Sequence, residues 1–287
     1  MTAREPARSD LDLDLVGQRI VVTRPRDRAE SWRSLFTNAG ADVLSVPAFA
    51  TSPLSGESVR AWVAAIEEAL SSPPTSGSWV AVTSVASVDP ALDALAPPGL
   101  LAAAIARLRW AAVGPATAAA LRARGVEPTV ELRSGGGQRL AAALIECESR
   151  ERPRRGAAGS GLLRVLHPGA RRVRPEFALA LGAAGGEVVG YPVYENVPLT
   201  GLDLTQLHTE HLRSPITLLT FASPSAGERY FEVATREQQC WLCALPAVAV
   251  GATTAIALRG LGIARVVAAA SPNGDDLLRA AQEALGR

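Results

Sequence analysis

The chain has 287 residues, of which 48% are hydrophobic and 20% charged, a composition that suits two globular domains rather than a disordered polypeptide. The formal net charge of +1 excludes the broad basic surface of a nucleic-acid binder, so any anion must be bound by a local group of residues. Three cysteines, an odd number, argue against a disulfide framework and predict a reducing, cytoplasmic location.

The first half of the chain predicts alternating strands and helices. Residues 1–15 are polar and of mixed charge, without the apolar core of a signal peptide, so they predict a disordered lead-in. No apolar run reaches the roughly 18 residues that a membrane span needs. Near-continuous apolar runs predict buried parallel strands. The predicted strands are 19–23, 42–46, 79–83, 110–113 and 126–131, and the predicted helices are 27–39, 115–124 and 137–148.

The second half repeats this order after a segment rich in Arg, Gly and Pro. That segment, residues 149–161, has no hydrophobic periodicity and predicts a solvated loop. The second set of predicted strands is 162–166, 187–191, 216–221, 247–250 and 263–269, and the second set of helices is 172–184, 252–261 and 274–285.

Two pairs of segments show that the halves are copies of each other. AGADVLSVPAFATSPL at 39–54 matches AGGEVVGYPVYENVPL at 184–199, and AAVGPATAAALRARGV at 111–126 matches VAVGATTAIALRGLGI at 248–263. We therefore predict that each copy is one α/β unit, with a parallel sheet between two layers of helices.

In such sheets, ligands bind beyond the carboxyl ends of the strands, where helix N-termini attract anions. Arg24 follows the first strand, and Gly169 and Arg171 follow the equivalent strand of the second copy, with Arg172 and Arg174 beside them. Positive side chains oppose the helix dipole at these positions. A ligand carboxylate or phosphate explains them as well as a solvated arginine cluster does.

Hydroxyl side chains follow the later strands of both copies. Such a side chain can cap the next helix or bind an anion, and a preceding glycine either makes a tight turn or lets a ligand approach the backbone. The turn at 134–137 has the same two interpretations. The candidate binding residues of this kind are Ser84, Thr117, Ser223, Thr253 and Thr254.

Tyr194 could supply a proton or orient a ligand, and its equivalent in the first copy is Phe49. The sequence has no phosphate-binding loop, no dinucleotide fingerprint and no nucleophile elbow. With three histidines and an isolated Cys240–Cys243 pair, it predicts no metal site and no cofactor.

In their order and spacing, these motifs resemble the uroporphyrinogen-III synthase family. The segments that carry the resemblance are VTRP at 22–25, TS at 83–84, VGPAT at 113–117, GYPVYENVP at 190–198, FASPS at 221–225 and VGATT at 250–254. The resemblance implies two Rossmann-like domains of similar build, joined by two extended crossover strands, with the substrate between them. Its boundaries are 16–46 plus 200–287 for domain one, 54–190 for domain two, and 47–53 and 191–199 for the crossover strands.

The resemblance also implies a reaction. Hydroxymethylbilane would lose water and close to uroporphyrinogen III with inversion of ring D, which makes the enzyme a cyclising hydro-lyase of haem biosynthesis that needs no cofactor. Tyr194 would donate a proton to the leaving hydroxyl. The expected partner is the linear tetrapyrrole, with a transient contact to hydroxymethylbilane synthase, no nucleic acid, no membrane and a monomeric state. The alternatives are a two-lobed binding protein of the periplasmic kind and a tetrapyrrole- or anion-binding sensor without catalysis.

Overall fold

The computed structural model describes residues 14–71, 78–132, 136–155, 163–172 and 175–286. The chain forms two compact units: unit 1 comprises the residues up to Ala50 and from Pro198 onward, and unit 2 comprises Thr51–Val197. Within the described ranges, no helix is both long and apolar enough to cross a membrane.

Eleven strands are formed by the described residues, and most are short apolar runs. β4 and β9 are buried along their whole length, as expected for parallel strands covered on both faces. The strands are β1 (Arg19–Val22), β2 (Asp42–Ser45), β3 (Phe49–Pro53), β4 (Trp79–Val82), β5 (Arg109–Val113), β6 (Val130–Leu132), β7 (Arg164–Ala170), β8 (Glu187–Pro198), β9 (Leu218–Phe221), β10 (Ala247–Ala249) and β11 (Val266–Ala268).

Helices connect these strands, and a short 3-10 turn, Val85–Ser87, follows β4. The helices are α1 (Arg26–Asn38), α2 (Glu57–Ser71), α3 (Val88–Asp93), α4 (Leu100–Arg107), α5 (Pro115–Ala123), α6 (Gly137–Arg155), α7 (Glu176–Ala183), α8 (Leu204–Arg213), α9 (Pro224–Val233), α10 (Arg236–Ala244), α11 (Ala252–Gly260) and α12 (Gly274–Leu285).

The two sheets have the same strand order. Unit 1 has β11-β10-β9-β1-β2, and unit 2 has β6-β5-β4-β7-β8 with β3 added at its edge. The order reverses direction between β1 and β9 in unit 1 and between β7 and β4 in unit 2. The predicted fold class, two Rossmann-like parallel sheets of similar build, is confirmed.

The prediction that each sequence copy is one α/β unit is wrong. The sheet of unit 1 combines β1 and β2 of the first copy with β9, β10 and β11 of the second. The sheet of unit 2 combines β7 and β8 of the second copy with β3, β4, β5 and β6 of the first. The reason is the path of the chain, which leaves the first sheet after β2 and returns to it only after β8. Sequence similarity matches each strand with its counterpart in the other copy, but it does not show which sheet either strand joins.

Two strands carry the chain between the units. β8 is one continuous strand of 12 residues, so the predicted strand 187–191 and the predicted crossover 191–199 form a single element. Backbone hydrogen bonds from Leu199 to Ala48 (3.2 Å) and from Leu54 to Val193 (2.9 Å) show that β3 and β8 run antiparallel.

Each sheet has a hydrophobic cluster on both faces. In unit 2, Trp62 and Trp110 lie in one cluster and Trp79 in the other, and all three side chains are buried. In unit 1, Phe221 and Tyr230 lie on one face of the sheet and Phe36 on the other. Burial of large apolar side chains on both faces supplies most of the stabilisation of such a sheet.

Three predicted boundaries differ from the structure. Leu15, predicted to lie in the lead-in, is fully buried and donates its N–H to Ala39 (2.7 Å), while 1–13 lie outside the described residues. Residues 149–155, predicted as loop, continue α6, because Arg and Glu are good helix formers even where the sequence has no apolar periodicity. The strand predicted at 162–166 continues to Ala170, so α7 begins at Glu176 instead of 172.

The start of α6 is held close to α7. A Cβ atom on Gly137 would lie 2.6 Å from Cβ of Phe177 and 2.9 Å from its backbone nitrogen, so glycine is required there. We expect Gly137→Ala to displace the two helices and to lower the free energy of unfolding by about 2 kcal/mol.

Gly136→Ala is the matched control, because a Cβ atom at Gly136 meets nothing within 4 Å. Thermal unfolding of both variants measures the difference. Equal melting temperatures for the two variants would contradict this account of the contact.

Candidate active site

Unit 2 contains a cavity of about 580 Å³ at the carboxyl ends of its strands. It is lined by the two residues that follow β4, by residues of β5, β7, β8 and α7, and by the first turn of α6. The cavity therefore lies where the strand order reverses, between β7 and β4, which is the usual ligand site of open α/β sheets. Its volume lies within the range of about 300–1,000 Å³ that small-molecule sites occupy.

The end of β4 supplies two hydroxyl groups to the cavity, Thr83 and Ser84. Ser84 has an extended backbone, and its Oγ accepts a hydrogen bond from the N–H of Ala86 (3.3 Å). It therefore caps the 3-10 turn that follows, as an N-cap serine does. The cap and the cavity wall are formed by the same residue, so capping does not exclude contact with a ligand.

The first turn of α6 forms another part of the wall, with Gly136, Gly137, Gln138 and Arg139 lining the cavity. The first N–H groups of a helix have no partner within the helix, and they carry the positive end of its dipole. Gly136 and Gly137 carry no side chain that could lie between this backbone and the cavity. This wall is suited to a carboxylate.

A shift in register places Tyr194 in the cavity. Gly169 pairs with Pro192, but Ala170 pairs with Tyr194, so Val193 is an extra residue in β8. Proline cannot donate to the sheet and is tolerated at such irregularities, which also redirect the side chains that follow. Val193 and Tyr194 are consequently both buried, and Tyr194 lines the cavity with 5% of its surface exposed.

His167 is a cavity residue that sequence reasoning missed, as it missed Gln138, Arg139 and Phe177. The sequence predicts a loop at this position, whereas His167 lies inside β7 with 6% of its surface exposed. Its Nε2 is 2.9 Å from Oγ1 of Thr83, and its ring meets Phe177 edge to face at 5.5 Å. Burial lowers the pKa of His167 to about 4, so the ring is neutral at pH 7. The apolar run before His167 indicated a buried strand, but Pro168 after it indicated that the strand had ended.

The predicted binding residues of unit 2 are only partly brought together. Ser84, Gly169 and Tyr194 line the cavity. The exposed guanidinium of Arg171 pairs with Glu195 (2.9 Å), and its neighbour Arg172 lines the cavity instead. Of the other residues considered, Ser134, Gly135 and Arg174 lie outside the described residues.

The predicted threonines face the interior of their helices. Thr117 in α5 and Thr254 in α11 are 4% and 1% exposed, whereas Thr253 is exposed. Position within the first helical turn explains the difference, because residues on one side of a helix pack on the sheet. Neither Thr117 nor Thr254 therefore offers its hydroxyl at the surface.

Two further predicted residues lie at the carboxyl end of the sheet of unit 1. The guanidinium of Arg24 lies over the ring of Trp32, 4.9 Å from its centroid, a cation–π contact within its own unit. Oγ of Ser223 caps α9 by accepting from the N–H of Ala226 (3.4 Å), as Ser84 does in unit 2. Among the described residues, no group of three His, Cys, Asp or Glu side chains could hold a metal ion.

A family model described as uroporphyrinogen-III synthase HemD matches residues 30–279. The chain belongs to the uroporphyrinogen-III synthase family. The resemblance stated from the sequence motifs is thereby confirmed, and the family places the chain among enzymes of tetrapyrrole and haem biosynthesis.

Two solved structures show the same fold at low sequence identity. A mutant uroporphyrinogen III synthase from the extremely thermophilic bacterium Thermus thermophilus is 22% identical, with a TM-score of 0.52, and the match covers 94% of this chain and 99% of that one. A uroporphyrinogen-III synthetase from Helicobacter pylori is 17% identical, with a TM-score of 0.53, and the match covers 93% and 98%. A comparison with curated protein sequences gave no match.

His167 makes stability depend on pH. The unfolded chain binds a proton at this histidine below about pH 6.5, whereas the folded protein does not until about pH 4, so acidification through this window favours unfolding. We expect His167→Gln to remove a loss of roughly 3 kcal/mol between these pH values.

Urea unfolding of the whole chain, followed by tryptophan fluorescence at pH 7, 6, 5 and 4, measures this effect. His211 in unit 1, whose pKa is also lowered by burial, and the carboxylates contribute a slope that both proteins share. The difference between the two proteins isolates His167, and equal slopes would contradict its neutral state.

Proposed function

We propose that this chain is a uroporphyrinogen-III synthase that closes hydroxymethylbilane to uroporphyrinogen III with inversion of ring D and loss of water, a hydro-lyase reaction. The match of the family model over residues 30–279 carries the proposal. The cavity of unit 2 supports it, because its groups suit a substrate that has both carboxylates and a hydroxyl leaving group.

The carboxylates of the substrate would bind at the first turn of α6. Gly137, Gln138, Arg139 and Arg172 all line the cavity. Their backbone N–H groups and the two guanidinium groups are donors only. Charge-assisted hydrogen bonds of this kind hold carboxylates more strongly than neutral ones do. One acetate or propionate held there would fix the position of the pyrrole ring that carries it.

Tyr194 would act on the leaving hydroxyl. The electrons of the pyrrole ring break the C–O bond of the hydroxymethyl group, and the phenol donates its proton so that water leaves. Overall the substrate loses one hydroxyl and one hydrogen, so the hydrogen released at ring closure restores the phenol. This sequence of steps requires no cofactor.

The remaining features of the proposal concern the setting of the enzyme. We propose a cytoplasmic monomer that binds no nucleic acid and no membrane and receives its short-lived substrate through a transient contact with hydroxymethylbilane synthase. Arg24, Arg171, Ser223 and Thr253 remain proposed binding residues outside the cavity. For the buried Thr117 and Thr254, the proposal rests on the N–H groups of their first helical turns and not on their hydroxyls.

The deciding measurement is a coupled assay in which hydroxymethylbilane is generated in place and the uroporphyrin isomers are separated after oxidation. We expect the protein to shift the product from isomer I to isomer III. Tyr194→Phe should lower kcat by about 100-fold, the smaller end of what general acid catalysis contributes.

Tyr191→Phe is the control in the same strand, because its ring packs on Trp62 at a centroid distance of 5.6 Å. It should leave the isomer ratio unchanged. Isomer I as the sole product of the folded wild-type protein would refute the synthase activity. A Tyr194→Phe variant as active as the wild type would refute only the role of the phenol and leave the synthase activity standing.

The adjacent arginines test the carboxylate site. Arg172 lines the cavity, whereas Arg171 pairs with Glu195, so we expect Arg172→Gln to raise KM by roughly 10-fold and Arg171→Gln to raise it less. Steady-state kinetics of both variants in the coupled assay measures the difference. A larger effect at Arg171 would assign the binding role to the residue outside the cavity.

A further inference from the structure

The wall of the cavity contains a hydrogen-bonded pair of side chains, His167 and Thr83, which the steps above do not use. They come from neighbouring parallel strands, β7 and the end of β4, and their Nε2 and Oγ1 atoms are 2.9 Å apart. His167 is buried except for 6% of its surface, and both residues line the cavity. A buried polar pair costs desolvation, so its presence needs a reason.

The other unit shows that the fold does not need this pair. Ile20 of β1 pairs with Leu218 of β9 in unit 1, as Val165 of β7 pairs with Trp79 of β4 in unit 2. Val22 lies two residues after Ile20, as His167 lies two residues after Val165. Ala222 lies four residues after Leu218, as Thr83 lies four residues after Trp79. Val22 and Ala222 therefore occupy the positions of His167 and Thr83. The same sheet is therefore built with apolar side chains at both positions.

Polar side chains in the sheet of unit 1 have a different role. Oγ1 of Thr23 donates to the carbonyl of Thr220 (2.8 Å), and Oγ1 of Thr220 donates to the carbonyl of Val21 (2.9 Å). Those hydroxyls reinforce the backbone of two adjacent strands. His167 and Thr83 bond to each other at the cavity wall instead, which leaves part of their hydrogen-bonding capacity for a ligand.

That capacity includes an acceptor in either tautomer. If the hydroxyl of Thr83 donates to Nε2, its oxygen keeps two lone pairs; if Nε2–H donates to Thr83, Nδ1 can accept. The α6 N–H groups, Arg139 and Arg172 are donors only. Of the other lining side chains that can accept, Gln138 and Glu176 are exposed, Ser84 caps the 3-10 turn, and Tyr194 is the donor in the proposed reaction. His167 is neutral at pH 7, so the pair offers a carboxylate no attraction by charge.

We propose that the His167–Thr83 pair accepts a hydrogen bond from a pyrrole N–H of the bound tetrapyrrole and so fixes the orientation of one ring in the cavity. A pyrrole ring with acetate and propionate groups carries an N–H donor on one side and carboxylates on the other. The pair and the start of α6 supply the complementary groups on two walls of the same cavity. This positioning role rests on the proposed function.

Thr83→Val and Thr83→Ser test the pair with little change in shape. Removal of the hydroxyl should lower kcat/KM by about 5- to 10-fold and reduce the fraction of isomer III, whereas serine should recover most of the loss. His167→Val, which installs the residue of unit 1, should act like Thr83→Val, and His167→Gln should act less strongly. Binding of uroporphyrinogen III, measured by calorimetry without oxygen, should weaken in parallel.

Thr220→Val is the matched control, because it removes a buried hydroxyl that only bonds to the sheet of unit 1. It should lower the melting temperature and leave kcat/KM and the isomer ratio unchanged. Unchanged kinetics and binding in Thr83→Val and His167→Val, with isomer III still formed, would overturn the pair while the synthase function stands. A wild-type protein that makes only isomer I, yet binds uroporphyrinogen III more tightly than Thr83→Val does, would refute the synthase function and support the pair.

Discussion

The parallel pairing of β7 with β4 determines the chemistry of unit 2. It joins a strand of the second sequence copy to a strand of the first, with Val165 beside Trp79 and Leu166 beside Val80. Because both strands end at the same edge, the residues that follow these pairs, His167 and Thr83, come within hydrogen-bonding distance although 84 positions separate them. The reversal of strand order at this pairing also opens the cavity between the helices that follow.

One repeated sequence motif gives two different local structures. In the second copy, Pro192 lies inside β8 at the shift in register, and Tyr194 is turned into the cavity. In the first copy, Pro47 lies between β2 and β3, and the N–H groups of Val46 and Ala48 bond to the carbonyls of Val22 and Thr23 (3.0 and 3.2 Å). Tyrosine at one position and phenylalanine at the other therefore reflects a difference in surroundings that the sequence alignment alone conceals.

The sequence predicts those features that depend on neighbouring residues in the chain, and it misses those that depend on distant ones. Apolar runs located nearly every strand of both sheets, because burial on both faces requires them. Sheet membership is not local, and only the family resemblance supplied the interleaved path of the chain. His167 was missed because it ends the apolar run and is followed by a proline, so the sequence predicts that the strand stops before it. The strand β7 in fact continues through both residues. Thr117 and Thr254 were chosen for their hydroxyls, yet the helical period turns both side chains towards the sheet.

The two units show how duplication allows one half of a symmetric fold to specialise. Gly114 before α5 adopts φ +85°, a conformation that favours glycine, whereas the equivalent Gly251 before α11 is fully extended and open to any residue.

His167 and Thr83 of unit 2 occupy the sheet positions that Val22 and Ala222 occupy in unit 1. A buried imidazole would cost stability if it were charged, and its lowered pKa avoids that cost at neutral pH. Unit 2 can therefore carry a polar wall within an otherwise apolar sheet, because the pair satisfies itself without a ligand and still has an acceptor free for one.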